Sequence, residues 1–208
     1  MRMRKKKWAK PFLEENKNVM IQTPETYKGQ WKSCLKKDFL AVEIGFGRGN
    51  YIAGMAKNHP DWALVGIEKD TNCAAVALKG LDPSLTNIKM INQDATVIET
   101  WFDEKEVDCI YLNFSDPWPK KGHSKRRLSS ASFLSKYNDI LSDEGHIVMK
   151  TDNQSLFEFS LISFLDFGFK LVEISVNYDS VAEGDPVSEY EQKFLDLNQP
   201  IYRMKLKK

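Results

Sequence analysis

The sequence predicts an α/β protein built on a mostly parallel seven-stranded sheet that ends in an antiparallel C-terminal strand pair. Three observations carry that prediction. Apolar runs of strand length alternate with stretches of helical period, a glycine cluster closes the first strong run, and the tail switches to period-two alternation.

The elements follow in chain order. Phe39–Ile44 reads as a buried strand that stops at Gly45-Phe46-Gly47-Arg48-Gly49, with a helix over about 50–57. Residues 62–68 form a second strand, 72–81 a helix, 88–92 a third strand and 107–114 a fourth. Pro117 and Pro119 prevent the fourth strand from continuing, since proline lacks the N–H that a ladder needs. A polar basic loop, a helix over about 129–141 and a fifth strand at 146–150 come next. Thr151 or Asp152 is placed to cap a helix carrying Phe157, Leu161, Phe164 and Leu165 at helical spacing. Residues 170–178 and 200–206 alternate as a strand pair around a polar insert, 179–192. With no repeat or linker, residues 1–208 read as one domain that includes a basic, partly helical arm over about 1–37.

Composition narrows the class. Of 208 residues, 42% are hydrophobic and 12% aromatic, enough to bury a core without metals or crosslinks. Cys34, Cys73 and Cys109 are odd in number and scattered, as are His59, His123 and His146, so neither a disulfide framework nor a metal site is expected. No run reaches the roughly 18 apolar residues of a membrane span. The basic N-terminus also lacks a following apolar stretch, so a cytoplasmic protein is expected.

The formal charge of +1 hides a strong asymmetry. Residues 1–10, 118–127 and 201–208 hold 15 of the 30 basic side chains and no acid, which leaves 15 basic and 29 acidic residues elsewhere. An acidic body with basic patches suits a polyanionic partner that must approach in one orientation.

Ligands of open α/β sheets bind at the carboxyl ends of the strands, where the candidate residues gather. Gly45, Gly47 and Gly49 permit positive φ and a close backbone approach. Their spacing departs from the G-x-G-x-x-G of pyrophosphate cradles. Glu43 precedes the loop, Glu68 ends the second strand where a carboxylate can accept from a ribose diol, and Asp94 follows the third strand on the far side of an adenine. Three acids without a phosphate-binding lysine describe a pocket for an adenosine-like cation, which S-adenosylmethionine is. At the end of the fourth strand, Asn113-Phe114-Ser115-Asp116-Pro117-Trp118-Pro119 sets an indole beside a carboxylate in a proline-stiffened turn, which suits a nucleobase. The run 120–127 then offers Lys120, Lys121, Lys125, Arg126 and Arg127, with His123, to phosphates.

These residues resemble the bacterial tRNA (guanine-N7-)-methyltransferases, the TrmB family, over essentially the whole chain. The marks are Met1-Arg2-Met3-Arg4 with Trp8-Ala9, the Glu43–Gly49 loop, residues 113–127, Lys150-Thr151-Asp152-Asn153, and Ser188-Glu189-Tyr190-Glu191 with Lys193-Phe194. The resemblance implies a class I, Rossmann-like fold and S-adenosylmethionine-dependent methylation of guanine N7 in the tRNA variable loop. It implies that Glu43, Glu68, Asp94 and Asp116 line the donor pocket and that Asp116 is also the active-site carboxylate. Lys120, Asp152 and Ser188, Glu189, Tyr190 and Glu191 would contact substrate; Lys121, His123, Lys125, Arg126 and Arg127 would hold RNA. Tyr190, Glu189 and Glu191 either close over the target base or cap a helix, and both readings stay open. The chain departs from the family at Gly122, where arginine is usual, at Arg48, often lysine, and at Ser188, usually threonine.

Guanine N7 has a lone pair and no proton, so attack on a sulfonium methyl needs alignment and electrostatics and no general base. Two other activities fit part of the pattern. Asp-Pro-Trp-Pro resembles the turn of amino-methyltransferases, although Trp118 interrupts the proline pair, and a non-catalytic RNA-binding protein could keep the same fold. Monomer and homodimer are equally compatible with the sequence, and no membrane partner is expected.

Overall fold

The structure is a computed structural model that describes residues 5–179 and 185–208, with Glu189 described in its backbone alone. The Met1–Arg4 mark, the centre of the 179–192 insert and the Glu189 side chain lie outside the described residues.

In chain order the elements are α1 (Ala9–Glu15), β1 (Met20–Ile21), α2 (Trp31–Leu35), β2 (Phe39–Ile44), α3 (Asn50–Asn58), β3 (Trp62–Ile67), α4 (Thr71–Gly80) and β4 (Ile88–Ile91). They continue with β5 (Val107–Asn113), α5 (Ala131–Ile140), β6 (Leu141–Thr151), α6 (Gln154–Phe167), β7 (Lys170–Ser175), α7 (Glu189–Asp196) and β8 (Tyr202–Lys207). The sheet has eight strands in the order β1-β4-β3-β2-β5-β6-β8-β7. β8 runs antiparallel to both β6 and β7, and the other pairings are parallel. The expectation of seven strands is corrected by β1, which the arm supplies by pairing Met20 with Met90 and Ile21 with Ile91. Two residues are too few to show a period, so this strand exists through its partner.

Alternation along the central strands builds a core on each face. Leu40, Val42 and Ile44 join Ile110, Leu112 and Met149 under α2, α5 and α6. Ala41, Leu64, Cys109, Tyr111 and Val148 pack under α1, α3 and α4. The arm is locked in as well. Trp31 is fully buried, donates its indole N–H to the Trp101 carbonyl at 2.8 Å, and stacks on Tyr27.

Chain direction sets the site. From β2 the chain winds outward through β3 and β4, then returns across β2 to β5 and β6. Strand order therefore reverses between β2 and β5, and a crevice opens at their carboxyl ends. The pair is in register at Ala41↔Cys109, Val42↔Ile110 and Glu43↔Tyr111, so the glycine loop and the Asp116 turn leave the sheet side by side.

Candidate active site

On one side of the crevice the backbone does most of the shaping. Gly45, Gly47 and Gly49 have φ of +86°, +55° and +80°, a region that side chains disfavour. Gly45 N–H donates to the Ile67 carbonyl at 2.7 Å. The Glu68 carboxylate accepts from Gly47 N–H at 3.0 Å and Asp70 N–H at 2.8 Å, which ties the loop to the end of β3. A Cβ on Gly45 or Gly47 would meet nothing within 4 Å, so the outer surface of the loop is open to a ligand, whereas one on Gly49 would strike the Ala77 Cβ at 2.9 Å. Asn92 donates to the Glu68 carbonyl at 2.7 Å. Asp94 is exposed and caps the 3-10 helix Ala95–Thr100 through Thr96 N–H at 3.0 Å. A cleft of about 210 Å³ lies alongside, lined by Leu13 and Ile21 of the arm together with Thr71, Asn92 and Gln93.

Deeper in, Glu43 is 3% exposed and its Oε1 accepts from Asn113 Nδ2 at 3.0 Å. Glu43 Oε2 and Asn113 Oδ1 are both buried without a hydrogen-bond partner. Two orphan acceptors cost about 1–3 kcal/mol each, so the pair suits a ligand that brings N–H donors. Burial pushes the Glu43 carboxyl up to about 7, opposed by the Asn113 bond and by Lys150. Burial also raises Glu68, against its two backbone donors. A cationic N–H donor would satisfy both acceptors and return Glu43 to its charged form.

The facing side is a strained turn. Phe114 and Trp118 hold φ of +49° and +42°, costly for bulky L residues at roughly 1–3 kcal/mol each. Phe114 N–H donates to the Lys150 carbonyl at 2.8 Å. Arg127, expected to hold RNA, instead clamps this turn. Its Nε donates to the Pro117 carbonyl at 3.0 Å and its Nη2 to the Trp118 carbonyl at 3.2 Å, with the guanidinium 4.2 Å from the Phe159 ring centre. Between them Asp116 is exposed. The Trp118 ring has the Arg126 guanidinium at 4.9 Å, the Lys69 ammonium at 5.8 Å and the His123 ring edge-on at 5.8 Å. The stretch read as a loop is a 3-10 helix, Lys121–Arg126, from which Lys121, Lys125 and Arg126 are exposed, as is Lys120 before it. Gly122 has open space where a Cβ would stand.

The third wall was not visible in the sequence. Lys150, at the end of β6, is 1% exposed, with Nζ 3.0 Å from Asp185 and 3.1 Å from Glu191. Its ammonium also lies 4.9 Å from the Tyr51 ring and 5.3 Å from that of Tyr178, and the Tyr51 hydroxyl donates to Asp185. Ser188 and Glu191 form a capping box at the start of α7. These two expected substrate contacts therefore face inward and fasten the segment. Tyr190 is 54% exposed, its ring 6.3 Å from Phe114. Asp152 is exposed beside the β5 end. The cap of α6 is neither Thr151 nor Asp152: Asn153 accepts from Leu156 N–H at 2.8 Å, while Thr151 Oγ1 accepts from Asn153 N–H. Asn153 stands directly before the first helical residue, Gln154, so its side-chain oxygen reaches the N–H three positions on.

All four basic residues of the C-terminal run are engaged internally: Arg203 and Lys205 with Glu173 at 2.6 and 3.8 Å, Lys207 with Glu144 at 2.5 Å, and Lys208 with the Leu141 carbonyl at 2.8 Å. Among the described residues, no group of three or more His, Cys, Asp or Glu could hold a metal ion. No helix of these residues is long and apolar enough to cross a membrane.

Comparison with known proteins agrees with this architecture. Residues 37–204 match the model of a methyltransferase family, Methyltransf_4. The tRNA (guanine-N(7)-)-methyltransferase of Bacillus subtilis is 45% identical over 98% of this chain and 97% of its own length. The protein of the same name from Limosilactobacillus fermentum is 42% identical over 99% and 97%. Among solved structures, an antibiotic-related methyltransferase superposes with a TM-score of 0.66 at 16% identity, covering 85% of this chain and 92% of that one. The 16S rRNA methyltransferase KamB gives 0.62 at 14% identity, over 86% and 91%. These two share the fold. With family model and full-length relatives in agreement, the chain belongs to the tRNA (guanine-N7-)-methyltransferase family.

Proposed function

We propose that this chain transfers the methyl group of S-adenosylmethionine to N7 of a guanine in the variable loop of tRNA. The observation that carries the reading is the pair of buried, unpartnered acceptors, Glu43 Oε2 and Asn113 Oδ1, where strand order reverses and beside an exposed carboxylate–indole turn. S-adenosylmethionine, when bound, supplies a methyl group on an electrophilic sulfonium.

Glu43 and Asn113 receive an ammonium, and the open faces of Gly45 and Gly47 border the chain attached to it. Each Glu68 oxygen, holding one backbone N–H, has a further lone pair for a ribose hydroxyl. Asp94 borders the adenine side. Asp116 accepts from the N1–H and N2–H edge of guanine and stabilises the positive charge that the purine acquires. It abstracts no proton, because N7 bears none. Lys120, Asp152 and Tyr190 border the base; Lys121, Lys125 and Arg126 face RNA phosphates from an otherwise acidic body. Arg127, His123, Ser188 and Glu191 act one step back, by shaping the turn and its cover. Nothing in this scheme needs a membrane, and a cytoplasmic site of action follows from the substrate.

The test is transfer from labelled donor to unmodified tRNA, followed by reduction and aniline cleavage. Cleavage at one variable-loop guanine is expected. Label without cleavage would mean methylation of an amine, and no label would mean a non-catalytic RNA binder; either result contradicts the reading.

A further inference from the structure

We infer that the Trp118 indole is a cation receptor for the target purine, stabilising the charge that guanine acquires during transfer, and that Arg126 holds its face until RNA arrives. This inference rests on the function proposed above and extends it to a residue outside the set of carboxylates.

The ring is held in place. Trp118 sits at φ +42° between Pro117 and Pro119, with its carbonyl and that of Pro117 taken by Arg127. Backbone strain is kept where surrounding groups over-determine it, and here three do.

Its neighbours reveal the chemistry that its face accepts. The Arg126 guanidinium lies 4.9 Å from the ring centre and the Lys69 ammonium 5.8 Å. Indole is the strongest aromatic partner for a cation. A guanidinium is flat, delocalised and positive, and so is a guanine methylated at N7. Arg126 is exposed and makes no ion pair among the described residues, so a phosphate can draw it off the ring.

The location also fits. Lys69 directly follows Glu68, which holds the glycine loop, so its contact with Trp118 spans the crevice from the donor side to the acceptor turn. In the reaction the N7 lone pair forms the new N–C bond as the methyl–sulfur bond breaks, its electron pair remaining on sulfur. No proton moves, and one positive charge passes from sulfur to the purine. An indole facing that purine holds the cation more tightly than the neutral base, so its effect falls on the rate of transfer and not on tRNA affinity.

The experiment replaces Trp118 alone with tryptophans carrying one to four ring fluorines, which drain the π face while keeping its shape. Single-turnover transfer is then measured with saturating donor and tRNA. The logarithm of the rate should fall stepwise with fluorine count, by about 3- to 30-fold in total, with tRNA and donor affinities within twofold. A flat series in an active protein overturns the inference alone and leaves the ring a packing or stacking element. Donor affinity that falls with fluorination, while affinity for the thioether by-product holds, also overturns it, because the ring would then serve the sulfonium. Absence of N7 methylation by the unsubstituted protein overturns the function and this inference together, and is seen before any fluorine is introduced.

Discussion

The two sides of the crevice use opposite means. The donor side is buried and made of backbone: three positive-φ glycines, a carboxylate holding two N–H groups, and an acid–amide pair with unmet acceptors. The acceptor side is exposed and cationic, held by strained aromatic residues and an arginine clamp, and covered by a segment fastened through one lysine. A small ligand of fixed shape can be met by preformed backbone geometry. A folded polyanion needs surface charge for approach and a part that seats late.

The largest expected effect sharpens this contrast at the fastening. Lys150→Met leaves the buried Glu191 and the partly covered Asp185 without their cation, which should destabilise the protein by about 3–5 kcal/mol in denaturant unfolding. Adding Glu191→Gln should restore part of that stability, yet KM for tRNA should stay raised while donor affinity recovers. Equal recovery of both would show that the cover serves the two sides alike. Next comes the acceptor turn itself. Asp116→Asn should lower turnover about 100-fold or more with donor affinity within twofold, since its charge is needed only as the purine becomes positive. A stopped-flow or filter assay of the two quantities decides it.

Smaller effects separate the two neighbouring arginines. Arg126→Ala should reduce the slope of log affinity against log salt by about one phosphate contact. Arg127→Ala should leave that slope in place and lower the melting temperature, because its guanidinium holds the carbonyls of Pro117 and Trp118. The reverse pattern would return Arg127 to the RNA surface. Smallest is Gly122→Arg. Open space at that position and a φ outside the left-handed region admit a side chain without strain, so tRNA binding should tighten and the salt slope steepen by about one.

The same division explains what the sequence made legible. β2 was readable residue for residue because an apolar run ends at a glycine stop, both local signals. The glycine loop, Glu68 and the Asp116 turn were likewise visible, since each chemistry-bearing residue lies next to the element that places it. β1 was hidden because it exists only by pairing with β4. α7 begins inside the polar insert 179–192, and of the two readings open for Glu191 the structure supports the helix cap, with Ser188 and Glu191 at capping-box spacing. The inward turn of Lys150, Asp185 and Arg127 was beyond reach, since each finds its partner through the tertiary fold: Asp185 meets Lys150 from another segment, and Arg127 reaches back ten residues. In a basic run, a lysine on solvent and an arginine clamping a turn look the same.

The central claim is that the Glu43–Asn113 pair receives the cationic end of the donor, and the pH dependence of donor binding tests it most directly. Burial places Glu43 near 7, so in the free protein its folded form keeps a proton that the unfolded chain has released. Stability of the free protein should therefore decline as pH rises from about 4.5 to 7, by on the order of 3 kcal/mol, and Glu43→Gln should remove that slope. Calorimetry between pH 6 and 7.5 stays below the roughly 7.7–8.0 at which an α-amine loses its own proton. Donor affinity should rise across that window as Glu43 ionises, and Glu43→Gln should bind weakly with no pH dependence. A flat profile for the unsubstituted protein, or a sloping one for Glu43→Gln, would contradict the account.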